Sequence, residues 1–141
     1  MMVGIPGSGK STKAEELAYK QDCKVFSSDK AREELFGNVN EQGRNAELFT
    51  YLEDSMIKAL EIGEDVIYDA TNINRNLRKK FFNRISHISC KKVAIVMDTP
   101  YEECIKRNNL RNRIVPIKVI KRMYGNFDYP TDKEFDEIII V

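Results

Sequence analysis

The stretch Gly4-Ile5-Pro6-Gly7-Ser8-Gly9-Lys10-Ser11-Thr12 has the spacing G-x-x-x-x-G-K-[ST], and few folds can accommodate it. Its glycines let the backbone curl until successive N–H groups point inward and form a concavity for an anion. Lys10 brings a mobile positive charge to the β- and γ-phosphates of a nucleotide, and the Ser11 hydroxyl is a ligand for Mg²⁺. A helix beginning at about Lys10 adds the positive end of its dipole. Chance could place such a pattern in any glycine-rich turn. Here the apolar Met1-Met2-Val3 precedes it and a helix-like stretch follows, which is the strand–loop–helix setting the chemistry needs. Gly7, Ser8, Gly9, Lys10, Ser11 and Thr12 are therefore the expected contacts of a nucleoside triphosphate.

The rest of the chain alternates strands and helices. A helix from Lys10 to about Lys20 turns Ala14, Leu17 and Ala18 inward, and Cys23–Ser27 reads as a second strand. Asp29–Phe36 is a short helix stopped at Gly37. The longest helix is expected over Glu41–Ile62, with Phe49, Leu52, Met56 and Leu60 on one face and Gly63 as its stop. Asp65–Asp69 is a third strand, and Asn72–Asn74 leads into a basic helix ending near Ser86. Lys92–Asp98 is a fourth strand, apolar enough to be buried on both faces. Thr99-Pro100-Tyr101-Glu102 carries a capping-box pattern with proline at the first helical position, opening a helix to about Asn109. A further helix runs from Pro116 to Tyr124, and Asp136–Val141 is a fifth strand. This alternation predicts an α/β domain spanning residues 1–141, with a parallel five-stranded sheet in the order 2-3-1-4-5. Ligands should sit beyond the carboxyl ends of the strands.

Asp29, Asp69 and Asp98 each follow or end a strand, on the rim where the phosphates would lie. Asp69 closes a hydrophobic run, the position from which a carboxylate assists Mg²⁺. Asp29 is left to face a phosphate acceptor, and Arg32 shares its helical face three residues on. A carboxylate beside a guanidinium suits an acceptor bearing both a hydroxyl and a phosphate; the plainer alternative is a local salt bridge. Arg107, Arg111 and Arg113 crowd a segment of about 107–116 that can close as a lid over the transferring phosphoryl group. Their plainer alternative is a solvated helix end.

Charge is segregated along the chain. Residues 70–125 hold fourteen Lys or Arg against Asp98, Glu102 and Glu103, a net of +11 in a chain of net +1. Such a block forms a surface for polyanions or a set of solvated helix faces. No apolar run approaches the roughly 18 residues of a membrane span, and no leader is expected before the loop. Cys23, Cys90 and Cys104 lack metal-ligand spacing, so reduced thiols and a cytoplasmic location are expected. The single histidine, His87, is expected at the surface.

In GIPGSGKST, SSDKAR, YDATNINRNLRKK and KRNNLRNRIVPIKVIKRMY, in that order, the chain resembles the P-loop 5′-hydroxyl polynucleotide kinases of phage and bacterial nucleic-acid repair. The resemblance covers nearly the whole chain. It implies a P-loop NTPase fold, ATP as phosphate donor, Mg²⁺ as cofactor and the 5′-hydroxyl ends of DNA or RNA as acceptor. It also implies that Asp29 is the general base, that Arg32 contacts the acceptor's adjacent phosphate, and that Arg111 reaches the donor phosphates with Arg107 nearby. Thr71 and Asn72 would lie on the acceptor side. Arg113 departs from the spacing of some bacterial members, and the chain shows no phosphatase aspartate signature or ligase lysine motif, so other repair steps would belong to other chains. Two alternatives stand beside this one: a kinase of a small metabolite or nucleoside, and a nucleotide-dependent binding module acting through a partner.

Overall fold

The first strand, β1 (Met2–Val3), is two residues long and completely buried. Around it a computed structural model describes residues 1–38 and 43–141. The chain continues through α1 (Lys10–Gln21), β2 (Lys24–Ser27), α2 (Ser28–Phe36), α3 (Asn45–Glu61), β3 (Val66–Asp69), α4 (Arg75–Arg84), β4 (Val93–Val96), α5 (Tyr101–Asn108), α6 (Ile117–Gly125) and β5 (Glu137–Ile140). All strand pairs are parallel. β1 pairs with β4 (Val3 opposite Val96), β4 with β5 (Ala94 opposite Ile138), and β2 with β3 (Ser27 opposite Asp69).

The expected five-stranded order is present in two pieces, β2-β3 and β1-β4-β5, with β1 beside β3 but no ladder between them. The short β1 spends its bonds on β4, where Met1 O accepts from Ile95 N and Val3 O from Met97 N, both at 2.9 Å. Toward β3 the contact is made at the rim instead. Gly4 N donates to Thr71 O at 3.0 Å, and the Asn72 amide donates to Met2 O at 2.8 Å. Asn72 sits at φ 49, a left-handed conformation that asparagine tolerates better than most residues.

Period-two alternation places helices on both faces. Met2, Ile67 and Ile95 pack on Ala14, Leu17 and Ala18 of α1. Val3, Ala94 and Val96 face the opposite way, toward Ile73, Phe135 and partly buried Phe127 and Met123. Tyr68 and Ala70 meet Leu48, Leu52 and Met56 of α3 and Phe81 of α4. The buried stripe of α3 is Leu48, Leu52, Met56 and Ala59, with the expected Phe49 and Leu60 flanking it half-buried. A broad apolar face leaves this rotation to packing. The predicted start of that helix at Glu41 lies outside the described residues.

The capping box at Thr99 is not formed. Pro100 is the N-cap of α5 and no side chain caps it. The Thr99 hydroxyl instead donates to Ser8 O at 2.8 Å, tying the end of β4 to the glycine-rich loop. His87 is exposed, beside Glu61. No helix among the described residues is long and apolar enough to cross a membrane.

Candidate active site

A cleft of about 390 Å³ opens where β1, β2 and β3 end, lined by the glycine-rich loop, Asp29, Asp69, Thr71 and the arginines of the 107–113 segment. The loop takes its shape from glycine. Gly9, the N-cap of α1, has φ 92, and Gly7 has φ 81. At Gly7 space as well as conformation requires glycine, because a Cβ there would lie 2.1 Å from Cys104 O on α5. Gly7, Gly9, Lys10, Ser11 and Thr12 face the cleft. Ser8 does not: it is buried, its N–H donates to Ile5 O at 3.3 Å, and its hydroxyl has no hydrogen-bond partner among the described residues.

Lys10 is 9% exposed and donates to Ile5 O at 3.0 Å. Burial pushes its pKa down to about 8; Asp69 opposes that fall and Arg111 adds to it. Ser11 Oγ donates to Asp69 Oδ2 at 2.7 Å. Burial raises the Asp69 carboxyl above the usual carboxylate range, against the Ser11 bond and Lys10, which favour its ionised form. A hydroxyl and a carboxylate oxygen in contact, facing a phosphate cradle, are hard donors that fit Mg²⁺. No group of three or more His, Cys, Asp or Glu able to hold a metal occurs among the described residues. A cation there would take its remaining ligands from phosphate and water, as Mg²⁺ does.

Opposite the loop, Asp29 receives Arg111 and Arg113. Arg111 donates to Oδ2 at 2.7 Å and Arg113 to Oδ1 at 2.9 Å. Asp29 is held in the first turn of α2, whose N-cap Ser27 accepts from Lys30 N at 3.4 Å. Arg107 lines the cleft near Gly9 while donating to Glu103, one turn back on α5.

Besides Ser8, three expected residues are placed differently. Arg32 is 3% exposed and donates to Asn45 Oδ1 at the start of α3, at 2.9 Å, and is not among the cleft-lining residues. A helical turn puts positions 29 and 32 on one side, but the longer arginine follows the α2–α3 packing. The Asn72 amide nitrogen is spent on strand carbonyls, whereas Thr71 does line the cleft. Asp98 is exposed and outside it.

The basic block is likewise divided. Seven of its cations pair with acids, among them Arg78 with Glu134, Arg84 with Glu53 and Asp54, and Lys91 with Glu137. Lys79, Lys80, Lys92, Lys106, Lys118, Lys121 and Arg122 make no ion pair among the described residues, Lys92 lying over the Phe82 ring.

Two positions escaped the motif reading. Thr99 ties the loop to β4, and Asn108 bonds across the base of the arginine segment. The legible signal for Asn108 was a polar residue on the face of α5 that also carries Tyr101, Cys104 and Ile105.

A glycine-rich loop of phosphate-loop spacing, a hydroxyl–carboxylate contact beside it and a carboxylate bound by two arginines across the cleft are consistent with a P-loop phosphotransferase. The family model described as AAA domain (AAA_33) matches residues 1–130, and the chain belongs to that family of P-loop kinase domains. The L-seryl-tRNA(Sec) kinase of Methanococcus maripaludis is 31% identical over 142 residues, covering 94% of this chain and 53% of that protein. This chain thus spans about half the length of that relative. A chain of the Pnkp1/Rnl/Hen1 RNA repair complex superposes with a TM-score of 0.74 and 26% identity, over 89% of this chain and 42% of that one. A gluconokinase from Sinorhizobium meliloti 1021 shares the fold, with a TM-score of 0.65 and 16% identity over 99% of this chain and 79% of its own.

Proposed function

We propose that this protein transfers the γ-phosphoryl group of ATP to the 5′-hydroxyl end of a polynucleotide. The observation that carries the reading is Asp29, a carboxylate on the acceptor side of the cleft bound by Arg111 and Arg113 and facing a P-loop. A slow hydrolytic switch needs no such acceptor base. Similarity to a chain of an RNA repair complex and to a tRNA kinase supports a nucleic-acid acceptor over a small metabolite. Seven cations without an acidic partner among the described residues supply an anion-binding surface that a small acceptor does not require.

In this mechanism the loop N–H groups and Lys10 hold the donor phosphates, and Ser11 with Asp69 holds Mg²⁺, which when bound neutralises charge on the phosphates. Asp29 accepts the hydroxyl proton as the acceptor oxygen attacks. Arg111 and Arg113 move from the Asp29 carboxylate, and Arg107 from Glu103, to the charge that develops on the transferring group. Thr71 lines the acceptor side. Arg32 and Asn72 support that side from behind, Arg32 holding α2 to α3 and Asn72 closing β3 on β1.

The test is transfer from labelled ATP to a short 5′-hydroxyl oligonucleotide, with the 5′-phosphorylated strand as control and binding titrated against salt. Label on the 5′-hydroxyl strand alone, with affinity falling steeply as salt rises, is expected. The 31% identity to a seryl-tRNA(Sec) kinase favours a second reading, in which the acceptor hydroxyl lies elsewhere on an RNA. Labelling of seryl-tRNA but not of the 5′-hydroxyl strand would select it.

A further inference from the structure

Asn108 ends α5 with 0% exposure, and a buried amide is tolerated when both of its ends are bonded. Both are. Nδ2 donates to Val115 O at 2.8 Å, and Oδ1 accepts from Val115 N at 3.1 Å. One side chain thereby engages the donor and acceptor of a residue seven positions on, and clasps the base of the loop bearing Arg111 and Arg113. On the far side of the clasp Val115 is buried and Pro116 opens α6, anchored by fully buried Ile120. On the near side α5 rests against the phosphate loop, since Cys104 O occupies the space where a Gly7 Cβ would be. Cys104 and Asn108 are four residues apart, so they share a helix face, and both are fully buried.

We propose that Asn108 is a positioning residue that carries the seating of α5 on the phosphate loop to Arg111 and Arg113, and so sets where their guanidinium groups stand. The proposal rests on the reading that these arginines serve phosphoryl transfer. Substitution by alanine leaves the Val115 N–H and C=O without their partner. Substitution by ionised aspartate keeps the acceptor but turns a second acceptor on Val115 O. A protonated aspartic acid again offers one donor and one acceptor.

The experiment compares Asn108→Ala and Asn108→Asp, alone and with Arg111→Ala/Arg113→Ala, in single-turnover transfer, KM for ATP, and tryptic cleavage after Arg111 and Arg113 without nucleotide. Asn108→Ala should slow transfer roughly 10- to 100-fold, as a misplacement of about 1 Å does. Its KM for ATP should shift less than about threefold, and tryptic cleavage at the two arginines should quicken. In the double-arginine background it should cost nothing further. Asn108→Asp should be slow relative to the unsubstituted protein at about pH 8 and recover toward it at about pH 6, as the buried acid regains its proton. Losses that multiply in the double-arginine background, or Asn108→Asp keeping a constant ratio across pH, would overturn the inference alone. If Arg111→Ala/Arg113→Ala transferred at the normal rate, the functional reading of the lid would fall and the positioning role with it. Should Asn108→Ala not fold, Asn108→Asp at the two pH values decides.

Discussion

Replacing Lys10 with methionine should abolish transfer and yet make the ligand-free fold more stable, by an amount that follows from where the ammonium sits. Burial lowers the Lys10 pKa from 10.5 to about 8. At about 1.4 kcal/mol per unit, holding the charged lysine in this buried position costs about 3 kcal/mol. Methionine has a similar length without the charge but forfeits the bond to Ile5 O, worth about 1 kcal/mol. The net gain near pH 7 is about 2 kcal/mol. Its pH dependence is the decisive part. The unfolded chain binds this proton more tightly than the folded one, so stability rises with pH between the two pKa values. The cost is full below about pH 8 and fades as pH rises toward 10.5. Urea unfolding of both proteins should therefore show Lys10→Met ahead at pH 7 and level near pH 10, other titrations cancelling in the difference. A less stable Lys10→Met at pH 7, or an equal gain at both pH values, would refute the reasoning. The same lysine predicts that ADP binding in excess EDTA at about pH 8 takes up about half a proton, as phosphate restores the charge. Calorimetry in two buffers of different ionisation heat measures this, and the uptake should vanish in Lys10→Met.

Asp29→Asn should reduce transfer by roughly 10² to 10⁴ without weakening Mg·ADP binding, because the variant gives up the carboxylate that holds Arg111 and Arg113 away from the phosphates; single-turnover kinetics and nucleotide titration check both halves. Asp69→Asn should act on the metal instead, shifting the Mg²⁺ concentration for half-maximal transfer upward while acceptor affinity stays unchanged. Gly7→Ala should lose nucleotide binding and loosen the arginine segment together, since its methyl meets the Cys104 carbonyl; nucleotide titration with tryptic cleavage after Arg111 reads both. Arg78→Leu should destabilise by about 3–5 kcal/mol in urea, because the buried guanidinium bonds Glu134, Asn72 O and Asp128 O; its loss leaves both carbonyls without that donor and Glu134 with only Thr131 and the more distant Arg75.

Much of the molecule is legible in the chain because it is local. The spacing from Gly4 to Ser11 determines a phosphate loop through backbone geometry that few other residues allow. Apolar runs bounded by turn residues mark the strands, and of the carboxylates at their ends Asp29 and Asp69 line the cleft as the rim rule of parallel sheets implies, while Asp98 does not. What only the tertiary structure decided depends on residues far apart in sequence. Helical spacing put Asp29 with Arg32, yet the Asp29 carboxylate is met by arginines more than eighty positions on, and the Arg32 guanidinium goes to α3. The basic block looked uniform, but half of its cations are matched by acids, all but Arg107 from elsewhere in the fold, and Arg78 is a core strut. Thr99 read as a helix cap and proved a tie to the loop. In each case the residue type and the element were readable from neighbours in sequence. The partner was not, because long side chains commit to whichever charge or carbonyl the packed helices and strands bring within about 3 Å.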